Sequence, residues 1–493
     1  MAKPYLASAI SFAIGSSLVA CGEGDGDDLP DGAFTTGMST TSTTMVTTTA
    51  TTSSNTTTTT SSATGSTHDD DSTTGTGTDS SGSSSGDDTT TDDTSAADTT
   101  TSGEHTTTGD TITTTESSTG DDTTTDGETT TGGGIPECGN GVVDFGELCY
   151  DDAFALAMGT EPSGVVLGDF DGDGALDIAT ANAGSDEVSV RFGNGDGSFA
   201  AALTFAVGEQ PAAILAADFD GDGVDDLVTA DQGDNTISVL LADGQGGFAP
   251  ADVYAVGTAP VALAVDSFTP AGNRDLVVGN QGTANYHVLV SDGSGDFTTL
   301  GPFGTGNPPM PLAGITAASF NSVQDPFADV FWVGGPYYRG SPGNNDGTIN
   351  DSIVVGGNPG GNLVAVISGM FDAGNTADLV VVDAANDLVR FLPGNGQAGF
   401  GSVEIAVGAN PSAVAAGNLY TNGNTDLAVV NRNADTVYLI PGDGFGAWGT
   451  PTSFAVGTAP SGVALGDLDG DTVVDIVVCN AVSGDVSVLL SNP

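Results

Sequence analysis

Cations are what this chain lacks most. It has one lysine, Lys3, and only six lysines and arginines in all, against 65 aspartates and glutamates, for a formal net charge of −59 over 493 residues. Such a field repels a phosphate backbone and supplies almost nothing to neutralise it, so nucleic acid is excluded as a partner. Histidine is as scarce. His68 and His105 lie in a tract of hydroxyl residues, which leaves His287 alone for any folded part. Ser-His-Asp, Cys-His and Schiff-base lysine chemistry therefore lack their residues, while chemistry by carboxylates alone stays open. Beyond the N-terminus no apolar run approaches the ~18–20 residues that span a bilayer. A sustained 3.6-residue apolar period is also missing, so little helix is expected.

The first 21 residues, "MAKPYLASAISFAIGSSLVAC", place one positive charge before an apolar run that ends in small residues and a cysteine. This is a secretory signal pattern. The "LVAC" ending resembles the lipobox of bacterial lipoproteins, which implies a signal over residues 1–20, cleavage before Cys21 and lipidation of that residue. An exported lipoprotein of the bacterial cell envelope, held in the outer membrane and exposed at the surface, is the expectation, because multiple acyl chains hold a protein stably.

Residues 21–134 are nearly all Thr, Ser, Gly and Asp, as in "TTSSNTTTTTSSATGSTHDDD" (51–71). With almost no large apolar groups they cannot offset the entropy of ordering, so a disordered stalk is expected. About 110 residues of such coil have a reach of ~60 Å. The next segment, 135–150, carries "CGNGVVDFGELC", in which Cys138 and Cys149 would close a small disulfide loop as a collar. It is similar to a Cys-rich motif that recurs in some bacterial surface proteins. Cys479, in "VDIVVCN", has no evident partner and reads as a small buried hydrophobe.

From residue 151 to 493 the chain repeats itself. A Gly-x-x-Pro signature recurs with its proline at 162, 211, 260, 309, 359, 411 and 460, at spacings of 49, 49, 49, 50, 52 and 49 residues. Each unit reads as four short strands. In the second these are a small-residue run "AAILAAD" (212–218), the β-branched runs "DLVTA" (226–230) and "TISVLL" (236–241), and "ADVYAV" (251–256) after a Gly-rich turn. Four strands per unit of this length is a propeller signature. The last unit stops at "VSVLLSNP" without its outer strand, and "DDAFALAMG" (151–159) before the first unit matches the missing segment. An all-β, seven-bladed propeller closed by an N-terminal strand is expected.

Three units contain an acidic loop. Asp169, Asp171, Asp173 and Asp177 alternate in "DFDGDGALD", with the Ala175 carbonyl between them and Gly172 and Gly174 permitting the tight wrap. The pattern recurs as Asp218, Asp220, Asp222, Val224 and Asp226, and as Asp467, Asp469, Asp471, Val473 and Asp475, with Thr472 in place of the second glycine. Calcium takes six to eight hard oxygen ligands from a wrapping loop. The glutamate that an EF-hand needs at its twelfth position is replaced by Thr180, Thr229 and Val478, and strands flank the loop. The sensor reading fails. The unit "GDFDGDGALDIATAN" (168–182) with "VSVRFGNGDGSF" (188–199) resembles the FG-GAP/VCBS repeats of integrin α-subunit propellers and bacterial surface proteins. That resemblance implies calcium at about three sites, in units seven, one and two. Unit six keeps Asn418, Asn422 and Asp426 around an intruding Tyr420, and units three to five keep little but the final aspartate.

Three functions are compatible with this sequence. A non-catalytic module that binds or adheres to an extracellular or envelope protein or polysaccharide leads. A structural scaffold of the envelope follows, and a carboxylate-based polysaccharide hydrolase or lyase comes last. The irregular fourth unit, "DVFWVGGPYYRGSPGNNDGTINDS" (329–352), offers Trp332, Tyr337, Tyr338 and Arg339 as candidate ligand contacts, or as filling for that unit's own core.

Overall fold

The computed structural model describes residues 150–492, except 307–308, 321–327, 345, 351–354, 375 and 396–399. The signal, the stalk, Cys21 and the Cys138–Cys149 clip lie outside the described residues. Within them every regular element is a strand, and the strands form seven antiparallel sheets of four. The chain is a seven-bladed β-propeller.

Blade one is built from Pro162–Gly168, Asp177–Asn182, Glu187–Arg191 and Leu203–Ala206, in sequence order from the centre outward. The first strand of each blade packs on the first strand of the next around the whole ring, blade seven on blade one included. First and second strands are buried along nearly their full length because neighbouring blades cover both faces, as in "DIATAN" of blade one and "DIVVCN" of blade seven. Outer strands are mostly exposed. The hydrophobic core is therefore divided into clusters between blades, such as Phe170, Val188 and Val190 of blade one with Ile214, Leu227 and Leu240 of blade two. Each such large side chain contributes about 1.5–3 kcal/mol by burial.

Closure is by the N-terminal strand. Phe154–Ala157 pairs antiparallel with Asp485–Leu489, the third strand of blade seven, in the register Phe154 to Val488 and Ala157 to Asp485. A free sheet edge is thereby covered. Five of the repeat prolines open a first strand, where a missing N–H costs nothing. Pro309 and Pro359 do not: the first strands of blades four and five begin later, at Gly314 and Leu363. Cys479 is fully buried with a free thiol, which burial pushes up to about 11.

Candidate metal centres

The acidic loops join the first strand to the second at one end of the propeller. In blade one a carboxylate oxygen from each of Asp169, Asp171 and Asp177 lies within 4.8 Å of the others, and Asp218, Asp220 and Asp226 of blade two and Asp467, Asp469 and Asp475 of blade seven gather in the same way. Backbone hydrogen bonds impose this curl. Asp169 accepts the N–H groups of Gly172 at 2.7 Å and Gly174 at 3.0 Å, and Asp218 does the same for Gly221 and Gly223. Both glycines of blade one have positive φ, 76° and 89°. In blade seven the second of these positions is Thr472, held at φ 73°, a conformation that strains a β-branched residue.

The fifth-position aspartates stand outside these groups. Asp173 Oδ1 accepts the Ala175 N–H at 2.8 Å, Asp222 that of Val224 and Asp471 that of Val473, so each is engaged in a local turn. This leaves three gathered carboxylates per loop where the sequence pattern offers four.

Burial first, and the neighbouring carboxylates after it, raise the carboxyl pKa of the ninth-position aspartates, Asp177 and Asp226 up to about 7 and Asp475 up to about 6, against the pull of two backbone N–H donors on each. All three are fully buried. The donor set is oxygen only, negatively charged and convergent, which fits a hard divalent cation.

The ninth-position aspartate has a second task that sequence reasoning missed. Asp177 accepts Phe170 N–H at 2.8 Å on one oxygen and Gly193 N–H at 2.9 Å on the other. Blades without the acidic set keep the same clip. Asp275 takes Phe268 and Ser291, Asp329 takes Phe320 and Gly343, Asp378 takes Phe371 and Gly394, and Asp426 takes Leu419 and Gly442. The clip ties the start of the second strand to the loop and to the turn between third and fourth strands. Its signal was the survival of this one aspartate in units that lost the others. At the first ligand position blade five carries the exposed Met370 in place of an aspartate.

A second buried polar position, at the far end of the second strand, was also missed. It holds Asn182, Asp231, Asn280, Asp383, Asn431 and Asn480.

The candidate ligand contacts of blade four divide. Trp332 is fully buried against Tyr286, with ring centroids 5.2 Å apart, and belongs to the core between blades three and four, because the second strand is covered on both faces. Tyr337, Tyr338 and Arg339 are half-buried. Tyr338 packs edge-on to Phe400, and Arg339 lies over Tyr337 and donates to the Thr305 carbonyl at 2.6 Å. His287 is half-buried beside Asn280, and burial lowers its pKa.

Residues 169–229 and 418–478 match the model of the FG-GAP-like repeat. No curated protein matches the sequence. Among solved structures the chain is similar to BBS1N in complex with ARL6DN, soaked with mercury, at 13% identity and TM-score 0.50, covering 70% of this chain and 97% of that one. It is also similar to virginiamycin B lyase from Staphylococcus aureus, at 12% identity and TM-score 0.47, covering 69% and 98%. An Agrocybe aegerita protein that recognises non-reducing terminal N-acetylglucosamine shows 16% identity and TM-score 0.42, covering 62% and 80%. At such identities the likeness is one of fold. An FG-GAP propeller suggests a binding or scaffold module.

Proposed function

We propose that this chain, a seven-bladed propeller with FG-GAP-like repeats, is a calcium-stapled binding module, displayed on the bacterial surface through lipidated Cys21, with an envelope or extracellular protein or polysaccharide as its ligand. The observation that carries this reading is the set of three acidic groups, each offering three carboxylate oxygens within 4.8 Å of one another. Asp169, Asp171 and Asp177 would hold the ion in blade one, with their equivalents in blades two and seven. When bound, the ion supplies the positive charge that lets these clustered carboxylates remain ionised.

The chain's own groups do the rest. Asp177 fixes the loop to the second strand, and the loop of one blade reaches its neighbour: Asp225 of blade two donates its N–H to the Asp169 carbonyl at 3.1 Å, and Gly197 of blade one to that of Leu468 in blade seven at 3.1 Å. Stiffening three adjacent loops thus stiffens the contacts between blades seven, one and two. A ring on a long tether suits recognition, and with one histidine and no lysine from residue 150 onward any acid-base chemistry would fall to carboxylates.

Thermal melting of the full chain in calcium, in magnesium and in chelator tests the metal. Calcium is expected to raise the melting temperature by several degrees through ligand linkage, and magnesium by less. An unchanged melting temperature counts against a structural metal. A Cys21→Ser variant that stays in the membrane fraction would remove the lipid anchor from the reading. A glycan array and a pull-down, both in calcium, identify the ligand, and a stoichiometric envelope complex would favour the scaffold instead.

A further inference from the structure

The end of the propeller away from the acidic loops carries a repeated rim. Just after each second strand, one residue donates its N–H to the carbonyl of the residue that precedes a first strand. Ala183, Gln232, Gln281, Ala384, Arg432 and Ala481 do this in six blades, at 2.9–3.1 Å. Five of the six are neutral, and Arg432 alone is charged.

Arg432 lines a cavity of about 590 Å³ where blades six, seven and one meet, together with Thr160, Glu161, Ser163, Ser461 and Ser483. Other arginines are committed elsewhere. Arg191 donates to the Ala157 and Ala200 carbonyls, Arg339 to that of Thr305, and Arg390 to Asp383 and Glu404, while Arg274 lies near Asp225 and Asp266. The Arg432 guanidinium has no hydrogen bond or ion pair among the described residues, and it is half-buried. In a chain this acidic, a cation that lines a cavity and forms no ion pair, even with Glu161 in the same lining, has donors to offer an anion.

The remainder of the lining narrows the anion. Ser163 and Ser461 donate their hydroxyl protons to the Pro211 and Pro162 carbonyls, at 2.7 and 2.8 Å, which leaves the Ser163 oxygen as an acceptor, while that of Ser461 also meets the Cys479 thiol at 3.2 Å. Glu161 adds a carboxylate, an acceptor for hydroxyl groups that disfavours a doubly charged phosphate more than a singly charged carboxylate. No aromatic ring lines the cavity, so recognition by stacking is not on offer.

We propose that this cavity binds a hydroxylated carboxylate of the size of a uronic acid, with its carboxylate on Arg432 and its hydroxyls on the serine, threonine and Glu161 oxygens. The proposal rests on the reading of the propeller as a binding module and is independent of calcium.

Calorimetric titration of the full chain with glucuronate, galacturonate, glucose and inorganic phosphate tests it, using wild type, Arg432→Gln and Val482→Trp. Glutamine already occupies the equivalent position in blades two and three, so Arg432→Gln should melt with wild type. Val482 also lines the cavity, and tryptophan there obstructs it while leaving the charge in place. A uronate is expected to bind wild type at least tenfold more tightly than glucose or phosphate, and Arg432→Gln to weaken it about 10- to 100-fold, the usual worth of a charged hydrogen bond. Val482→Trp should abolish binding. Absence of uronate binding, equal binding by Arg432→Gln, or a preference for phosphate or glucose overturns the proposal. If a pull-down partner found in calcium binds Arg432→Gln as well as wild type, the binding module survives that failure at another surface.

Discussion

Asn182 of blade one and Asp231 of blade two occupy the same structural position, each buried between a threonine and a serine hydroxyl. Thr180 donates to Asn182 at 3.1 Å, and the Asn182 amide donates to Ser189 at 2.9 Å. In blade two Thr229 and Ser238 both donate to Asp231, each at 2.7 Å. The same pocket thus holds a neutral amide in one blade and an ionisable carboxyl in the next. Burial pushes Asp231 up to about 6 despite its hydroxyl donors.

Replacing Asp231 with asparagine should therefore stabilise the propeller at neutral pH. The folded pKa lies above that of an unfolded aspartate, so between about pH 4 and 6 the native state binds more protons, and stability falls as pH rises through that window. Asp231→Asn removes this loss. The gain should be on the order of 1–3 kcal/mol at pH 7.5 and vanish near pH 4, as read by denaturant titration at both pH values. Equal effects at the two pH values would show that Asp231 titrates normally.

Blade five solves the same problem with a countercharge. Burial alone would raise Asp383, but Asn386, the Asn362 N–H and Arg390 outweigh it and hold the carboxyl below its usual range. Arg390 Nη2 lies 3.0 Å from Asp383, and both are buried. Arg390→Met should cost about 3–5 kcal/mol at pH 7, because it strands a buried charge. Part of that loss should return at pH 4, where Asp383 can take a proton. A loss independent of pH would mean that packing, and not charge, is what Arg390 supplies.

These two aspartates mark where the sequence stopped being legible. The ring and its closing strand could be read from the 49-residue spacing and from the segment 151–159, since periodicity and edge pairing are properties of the pattern itself. The acidic loops were equally plain, because alternate aspartates with glycines have few other uses. Asp231, Asp383 and their asparagine equivalents close a β-branched run and look like turn residues. Only the stacking of blades on both sides reveals them as buried. Trp332 was ambiguous for the same reason: an aromatic in a degenerate blade suits a surface or a core, and burial by blade three decides it. Pro309 and Pro359 kept the spacing while the strands moved, because the residues between proline and strand are longer there.

The ninth-position aspartate should matter with or without a metal. In blade three Asp275 makes both clip bonds, at 2.8 Å each, in a loop that has lost the acidic set. Asp275→Ala leaves the buried N–H groups of Phe268 and Ser291 without acceptors. It should cost about 2–4 kcal/mol, equally in calcium and in chelator. Asp171→Asn, whose side chain is not part of the clip, should cost little in chelator and reduce the stabilisation by calcium. Denaturant melts of both variants under both conditions check this. A calcium-dependent cost at Asp275 would contradict the division of labour between clip and ligands.

Blade seven joins that clip to the closure of the ring. Ser491 N–H donates to Asp475 at 2.7 Å and its hydroxyl to Asp471 at 3.0 Å, while the Tyr150 hydroxyl donates to the Val474 carbonyl at 2.9 Å. Tyr150, ahead of the closing strand, and Ser491, which bridges it from the end of the neighbouring strand, are therefore both bonded to one acidic loop. Disabling that loop should loosen the closing strand before the rest of the ring, since local opening follows the weakest contacts. With Asp469→Asn in calcium, limited proteolysis should cut within 150–159 several-fold faster than in wild type, and Asp220→Asn in blade two should leave that rate nearly unchanged. Equal acceleration by both variants would mean that the loops stabilise the ring globally, and that closure has no special dependence on the seventh blade.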